Sequence, residues 1–189
     1  MSETLLAQVT YFPKQSEKPT SLKGDNVLKT LSGIQIEDAA IQYRVTELKP
    51  TSPLLPAPEV DGATARHIKF LPENTTKVQT SESNPSGLFG APVTEICFAT
   101  LKSEEHRTTW EVGVLSKMFK GLPECPGVLS CAWGRAEEDS MTYMLAIGWA
   151  SYEAHQEATK PEKAQQALAF IRTMLDVDQK HASLNQVEL

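Results

Sequence analysis

The sequence predicts an α+β fold whose second half has the order β-α-β-β-α-β, and three patterns support this order. Residues 93–101 (VTEICFATL) are apolar and β-branched on both alternate faces, which is typical of a strand covered on both sides. Residues 128–135 and 141–149 flank a polar turn and predict an antiparallel hairpin. Helical periodicity follows both the first strand and the hairpin, so a ferredoxin-like unit is expected.

Capping signals indicate where the helices of this unit begin and end. A helix is predicted to begin after Ser103, which precedes two glutamates, and to end at Gly121. A short helix begins after Ser151, and the pattern at residues 159–162 (TKPE) predicts a capping box for the next one. Residues 181–189 then close the unit as a strand.

The first half is less regular, and its elements are predicted one by one. They are a strand at 5–12, a short helix at 25–32, strand or helix or both at 34–48, a Pro-rich loop at 51–61, a strand at 64–71 and a polar connector at 74–90. Residues 66–70 and 180–184 share a basic–His–apolar–polar–apolar pattern. We therefore expect a degenerate first ferredoxin-like repeat over residues 1–73, a linker over 74–91 and a complete repeat over 92–189.

Composition limits the class of protein. The chain has 24 acidic and 18 basic residues, which argues against nucleic acid or an anionic membrane as the main partner. Its three cysteines are unevenly spaced and form neither a disulfide framework nor a zinc pattern. No apolar run approaches the roughly 20 residues of a membrane span, and no secretory signal is visible. A soluble, cytoplasmic protein is expected.

Two residues are candidates for acid–base catalysis. Glu95 is an acid on an otherwise apolar strand, on the same face as Val93 and Cys97. Its carboxylate is expected either at a wet edge or as a desolvated base with a raised pKa. His155, in the short helix after Ser151, is expected either to pack at the helix–sheet junction or to act as a general base.

Aromatic and histidine side chains suggest where a ligand would bind. An aromatic stripe on a strand forms either plain core or the wall of a pocket for a planar molecule. His67 and His181 are expected at strand starts, either half exposed with local hydrogen bonds or facing that pocket. The candidate substrate-binding residues are Trp133, Tyr143, Trp149, Met144, His67 and His181.

Metal and cofactor motifs are not visible in the sequence. The four histidines show no close metal-ligand spacing, although distant residues could converge in the fold. Residues 87–90 (GLFG) form a lone glycine-containing fragment without a following helix start, unlike a phosphate-binding loop. We expect no cofactor and no metal.

Three stretches of the sequence carry a resemblance to a known family. They are residues 92–96 (PVTEI), which open the second unit, residues 148–155 (GWASYEAH) at a strand-to-helix junction, and residues 66–72 (RHIKFLP). They resemble the dimeric α/β-barrel superfamily, close to its antibiotic-biosynthesis-monooxygenase-like branch and of the fungal tandem-repeat type, in which a similar strand-to-helix junction occurs. The resemblance implies two ferredoxin-like units that pair through their sheets, within one chain or between two. It also implies a pocket between a sheet and its own helices, and an unpaired edge strand would favour a homodimer.

The resemblance implies several chemistries on one scaffold. The leading hypothesis is a cofactor-independent monooxygenase of secondary metabolism that acts on a small hydrophobic, aromatic or polyketide-like substrate, with Glu95 or His155 as base. A cofactor-free cyclase, dehydratase or isomerase is the first alternative, but the cyclase-type relatives carry a His beside Pro where residues 160–163 (KPEK) have none. A non-catalytic binding or dimerisation module is the second alternative.

Overall fold

The computed structural model describes residues 4–14, 24–56, 61–77 and 87–187. The strands are β1 (Leu5–Pro13), β2 (Val27–Gln35), β3 (Ile41–Leu48), β4 (Thr64–Lys77), β5 (Val93–Leu101), β6 (Val128–Ala136), β7 (Thr142–Trp149) and β8 (Leu175–Gln186). The α-helices are α1 (Ser116–Gly121), α2 (Tyr152–Thr159) and α3 (Glu162–Met174). A 3-10 turn at Glu104–His106 and a π-helical segment at Thr109–Leu115 precede α1, and a 3-10 turn at Leu122–Glu124 follows it.

The eight strands close into one antiparallel barrel in the order β1-β3-β2-β8-β5-β7-β6-β4. The first half contributes β4-β1-β3-β2, and the second half contributes β8-β5-β7-β6 in the same order. The two sheets join where β2 pairs with β8 and where β4 pairs with β6. Closure within one chain leaves none of these eight strands with a free edge, so an open edge gives no support for the homodimer expected from the sequence.

The predicted α+β class and the order of elements in the second half are confirmed. Ser151 caps α2 as expected, since its Oγ accepts a hydrogen bond from the Ala154 N–H at 3.2 Å. The side chain of Ser103 makes no capping bond, and the helix expected there is divided into 3-10, π and α segments. Pro161 stands at the N-cap of α3, whose first turn lacks the predicted capping box.

The helix predicted at residues 25–32 is wrong, because these residues run into β2. β2 pairs with β3 on one side and β8 on the other, so ladder hydrogen bonds outweigh a weak local preference for helix. Leu31 is buried in the barrel interior. The ambiguous stretch at 34–48 contains the turn to β3 and β3 itself. Among the described residues of the first half there is no helix.

The linker expected at residues 74–91 is structured at both of its ends. β4 continues past residue 73 to Lys77, with a register shift against β6 between Phe70 and Thr75. Leu88 and Phe89 are buried in the barrel interior. Residues 78–86 lie outside the described part of the chain. The strand therefore extends beyond the boundary that the sequence predicted.

Two apolar cores lie on opposite faces of the second sheet. Ile96 and Phe98 of β5 point into the barrel, where they pack with side chains from both halves. Cys97 and Ala99, which alternate with them, point outward and pack beneath the helices. This is the doubly covered strand that the sequence predicts. The outward face of β5 is the one that carries Glu95.

Two glycines allow the halves to meet at the seams of the barrel. A Cβ atom on Gly33 of β2 would lie 1.9 Å from the Ser183 carbonyl oxygen of β8. A Cβ atom on Gly134 of β6 would lie 2.4 Å from the Lys69 carbonyl oxygen of β4. Both seams thus depend on close backbone approach at corresponding positions, and any larger side chain would push the strands apart.

Candidate active site between the second sheet and its helices

Glu95 is buried on the outward face of β5, with 6% of its surface exposed. The strand register explains its partners, since β7 and β8 flank β5 and carry Trp149 and Gln179 on the same face. The Trp149 indole Nε1–H donates to Glu95 Oε2 at 2.8 Å, and the Gln179 amide donates to Oε1 at 2.9 Å. Both carboxylate oxygens are therefore held in a fixed orientation.

Burial raises the pKa of Glu95 above the ordinary carboxyl value. The hydrogen bonds from Trp149 and Gln179 and the nearby His181 imidazole act in the opposite direction but do not outweigh the loss of water. Of the two situations expected for Glu95 from the sequence, the desolvated one is observed. A carboxylate in such surroundings is a stronger base than a carboxylate in water.

His155 extends from α2 toward the same carboxylate. Its Nε2 lies 3.8 Å from Glu95 Oε2 and 3.1 Å from the Gln179 amide nitrogen. Burial, followed by the proximity of His181, lowers the pKa of His155 to about 4. The imidazole is therefore neutral near pH 7, and it packs edge-on against Trp149 with ring centroids 5.2 Å apart. The ring thus packs at the helix–sheet junction, as one of the two sequence-based alternatives expects, and its role as a general base stays a prediction.

His181 lies directly opposite Glu95 on β8 and is joined to an acid from the first half of the chain. Its Nδ1 is 2.5 Å from Glu37 Oε1, and its backbone N–H donates to Glu37 Oε2 at 3.1 Å. Pairing of β2 with β8 places Glu37 here, because the Ile36 N–H donates to the His181 carbonyl oxygen at 2.8 Å. Glu37 is a site residue that the sequence prediction missed.

His67 has the same arrangement at the other seam of the barrel. Its Nδ1 is 2.5 Å from Glu138 Oε1, and its backbone N–H donates to the same carboxylate. His67 and His181 are each 4% exposed, so the expectation of half-exposed histidines at strand starts is wrong. Each lies within a strand that is paired on both sides, which removes water from the ring.

Glu95, His155 and His181 converge although they are far apart in sequence. One carboxylate oxygen and one nitrogen from each ring lie within 4.8 Å of one another. Their types match the carboxylate and imidazole ligands that divalent transition metals accept. Within the part of the chain that the structure describes, these are the residues that could hold a cation, and the sequence spacing alone gave no sign of them.

An apolar cavity of about 70 Å³ adjoins Glu95 between the sheet and the helices. Trp110, Leu145, Ile171 and Gln179 are among its lining residues. Sites for drug-sized ligands have volumes of roughly 300–1,000 Å³, so this space has room for a small gas molecule or water but not for an aromatic ring system. No residue of α2 is fully buried, so few buried contacts hold this helix over the site.

The predicted substrate-binding residues do not share one pocket. Trp149 and His181 adjoin Glu95, whereas His67 lies at the other seam. Met144 points into the filled barrel interior. Trp133 lines a surface groove of about 370 Å³ beside β4 and α1. Tyr143 packs under the helices, and its hydroxyl donates to Glu111 at 2.6 Å and accepts from Arg107 at 2.7 Å.

Comparisons with known proteins show which solved structures share this fold. No protein-family model matches the chain, and no curated protein matches it. Among solved structures, an anthrone oxidase-like protein superposes with a TM-score of 0.65 and 9% identity, over 97% of this chain and 92% of that one. A Lactobacillus acidophilus protein with a provisional monooxygenase assignment gives 0.62 and 9%, over 99% and 100%.

A third solved structure has a similar fold. A Listeria monocytogenes ferredoxin-fold protein, described as related to antibiotic biosynthesis monooxygenases, gives a TM-score of 0.58 and 11% identity over 94% of each chain. None of the described helices has the length and apolar character needed to cross a membrane. The closed antiparallel barrel, the helices on one sheet and these likenesses together show that the chain shares the ferredoxin-like barrel fold of these monooxygenase-related structures.

Proposed function

We propose that this chain is a cofactor-independent monooxygenase of secondary metabolism that acts on a small aromatic or polyketide-like substrate. The observation that carries the proposal is Glu95, a buried carboxylate with a raised pKa and both oxygens oriented, beside an apolar cavity. Perturbed carboxylates in apolar clefts are typical of catalytic bases. The monooxygenase-related and anthrone oxidase-like neighbours support the same class by likeness of fold.

Glu95 would remove a proton from a phenol or from an activated CH₂ group of the substrate. The resulting carbanion gives electrons to dioxygen, and a C–O bond forms to yield a hydroperoxide. Loss of water then leaves a carbonyl group, so one oxygen atom enters the product and the other leaves as water. The apolar walls around Glu95 exclude bulk water, which strengthens the base and protects the anion.

A substrate ring needs more room than the cavity of about 70 Å³ provides. We propose that α2 moves outward to admit it, because α2 carries no fully buried residue while the strands beneath it are fully paired. Dioxygen fits the cavity without such a movement. Closure of α2 over a bound substrate would then shield the anion from water.

A cyclase, dehydratase or isomerase would use the same base without oxygen, and it remains the alternative enzyme class. A non-catalytic binding module would be consistent with the small cavity. The oriented, desolvated Glu95 favours an enzyme over a passive module, because a carboxylate is costly to bury. Oxygen consumption separates the first two classes.

We also propose that residues 1–73 and 92–189 are repeats of one ferredoxin-like unit, of which the first is degenerate, and that the protein is cytoplasmic. The common strand order and the corresponding glycines 33 and 134 support the repeat. The first repeat supplies Glu37 to the site of the second. A degenerate repeat would thus be retained because it completes both the barrel and the site.

The test is substrate-dependent oxygen uptake across a panel of phenols, anthrones and naphthols, followed by mass analysis of products formed under ¹⁸O₂. The proposal predicts uptake by the wild-type protein, one labelled oxygen in the product and loss of uptake in Glu95→Gln. Conversion of substrate without oxygen uptake would contradict the oxygenase proposal and assign the chain to the cyclase or isomerase class.

A further inference from the structure

The two halves of the chain carry corresponding polar sites, one of which is filled by the chain itself. In the second half, Glu95 of β5 lies opposite His181 of β8. In the first half, Gln8 of β1 lies opposite His67 of β4. Each histidine binds a carboxylate through Nδ1, and Gln8 and Glu95 are both buried. The sites differ mainly by an amide in place of a carboxylate.

Residues 55 and 56 fill the first-half site. The Leu55 N–H donates to His67 Nε2 at 3.0 Å. The Gln8 amide in turn donates to the carbonyl oxygens of Leu55 and Pro56, at 3.3 and 3.1 Å. The backbone of residues 55 and 56 therefore supplies a donor to the histidine and acceptors to the amide. Both ring nitrogens of His67 and the amide nitrogen of Gln8 have partners within the chain.

The second-half site lacks the corresponding complement. In the neutral ring whose Nδ1–H donates to Glu37, Nε2 carries a lone pair, and this buried atom has no hydrogen-bond partner among the described residues. Glu95 offers acceptors where Gln8 offers a donor. A ligand that satisfies both residues must therefore bring two donors, one for the imidazole and one for the carboxylate.

We propose that the Glu95–His181 site binds an aromatic diol with neighbouring hydroxyl groups, one donating to His181 Nε2 and the other to Glu95. This specificity refines the site of the proposed function and rests on it. A carboxylate oxygen of Glu95 and a ring nitrogen of His181 lie within 4.8 Å of each other, a spacing that two hydroxyls on adjacent carbons can span with hydrogen bonds of about 2.8 Å.

The surroundings of His181 suit an aromatic ring. Tyr152 meets His181 edge-on with centroids 5.0 Å apart, and His155 lies 4.4 Å from it. Both rings belong to α2, so the movement of α2 that admits a substrate also opens the face of His181. Tyr152 and His155 then flank the bound diol, while Glu37 keeps the His181 ring in its acceptor tautomer.

The test measures binding without turnover, by titrating the chelator-treated protein under argon with catechol, phenol and 1,2-dimethoxybenzene. We expect catechol to bind about tenfold or more tightly than phenol, since it gains a second hydrogen bond to a charged acceptor, and the dimethyl ether to bind weakest. In ¹⁵N-histidine spectra, catechol should shift the Nε2 resonance of His181 and leave that of His67 unchanged.

Two variants complete the design. Glu95→Gln should reduce the preference for catechol over phenol to about twofold or less, since the charged acceptor is replaced by a neutral amide that accepts more weakly and also presents N–H donors. Glu138→Gln is the matched control and should bind like the wild type, with circular dichroism to confirm folding of each variant. Equal affinity for catechol and its dimethyl ether, or a requirement for added Mn²⁺ or Zn²⁺, would overturn the proposal. Anaerobic catechol binding without any oxygen uptake in air would support this site and reject the oxygenase function.

Discussion

His181 in β8 is hydrogen-bonded through both its ring Nδ1 and its backbone N–H to Glu37, a residue 144 positions earlier in the chain. The contact crosses the seam between the two halves of the barrel. It fixes the ring beside Glu95 on the neighbouring strand. The candidate site therefore belongs to both halves, although its helices belong to the second half alone.

Replacement of Glu37 by Leu should affect both stability and binding. The His181 Nδ1–H and backbone N–H would lose their acceptor, and we expect a loss of about 1–3 kcal/mol in the free energy of unfolding. Catechol affinity should also fall, since the ring is no longer held in its acceptor tautomer. Glu138→Leu, at the corresponding place beside His67, should lower stability to a similar extent with catechol binding retained. An equal loss of catechol affinity in the two variants would contradict the assignment of catechol binding to the His181 site.

Acid should weaken the interaction of His67 with Glu138 at the seam between β4 and β6. Burial raises the pKa of Glu138, but hydrogen bonds from the side chain and backbone of His67 outweigh it and hold the pKa below the ordinary value of 4.5. A lowered folded-state pKa stabilises the protein above 4.5, and this contribution disappears as the pH falls through the folded value.

Urea unfolding of the wild type and of Glu138→Gln between pH 7 and pH 3 measures this contribution. The wild type should be the more stable above pH 4.5, and the two curves should converge as the pH approaches 3. A difference that grows on acidification would show that the carboxylate of Glu138 does not stabilise the fold.

The pH dependence of turnover should report Glu95. The deprotonated carboxylate is the active form, and burial raises its pKa above 4.5. The acid limb of kcat/KM should therefore lie at higher pH than for an exposed carboxylate. His155, with a pKa of about 4, stays neutral across this window, so His155→Gln should keep the position of the limb. A limb that moves in His155→Gln would assign the base to His155.

The seam glycines should be intolerant of side chains. Gly134→Ala and Gly33→Ala each place a Cβ against a backbone carbonyl of the neighbouring strand, and we expect each to lose about 1–3 kcal/mol of stability. Gly113→Ala is the matched control, because its Cβ would lie 3.9 Å from the nearest atom, on Thr109. Thermal unfolding should leave the control near the wild type, and a stable Gly134→Ala protein would argue against the close seam.

Much of the second half could be predicted from local patterns. Periodicity located β5, β7 and the helix after Ser151, and Glu95 was recognisable as a single acid on an apolar strand. The helix predicted at residues 25–32 failed, because pairing with strands distant in sequence decides the conformation of β2. Local preference is weak where ladder hydrogen bonds form on both sides.

The full site could not be predicted, because its parts meet only after the barrel closes. Glu37 and His181 have no local relationship in the sequence. One signal of the repeat was present in the sequence, since residues 33–38 (GIQIED) and 134–139 (GRAEED) share a Gly and a Glu-Asp pair at the same spacing. Asp38 and Asp139 each accept a hydrogen bond from a backbone N–H two residues later, at 2.9 Å in both. That pattern marks Glu37 and Glu138 as corresponding residues, but only the closed barrel shows that each is bound to a histidine.

The most direct measurement of the central claim is oxygen consumption by chelator-treated protein with an anthrone or catechol substrate, compared among wild type, Glu95→Gln and Glu138→Gln. A base contributes about 10²–10⁴-fold, so Glu95→Gln should lose at least about 100-fold in rate, while Glu138→Gln and the metal-free wild type keep full activity. Oxygen consumption that survives in Glu95→Gln, or that disappears on removal of metal, would contradict a cofactor-free mechanism based on Glu95.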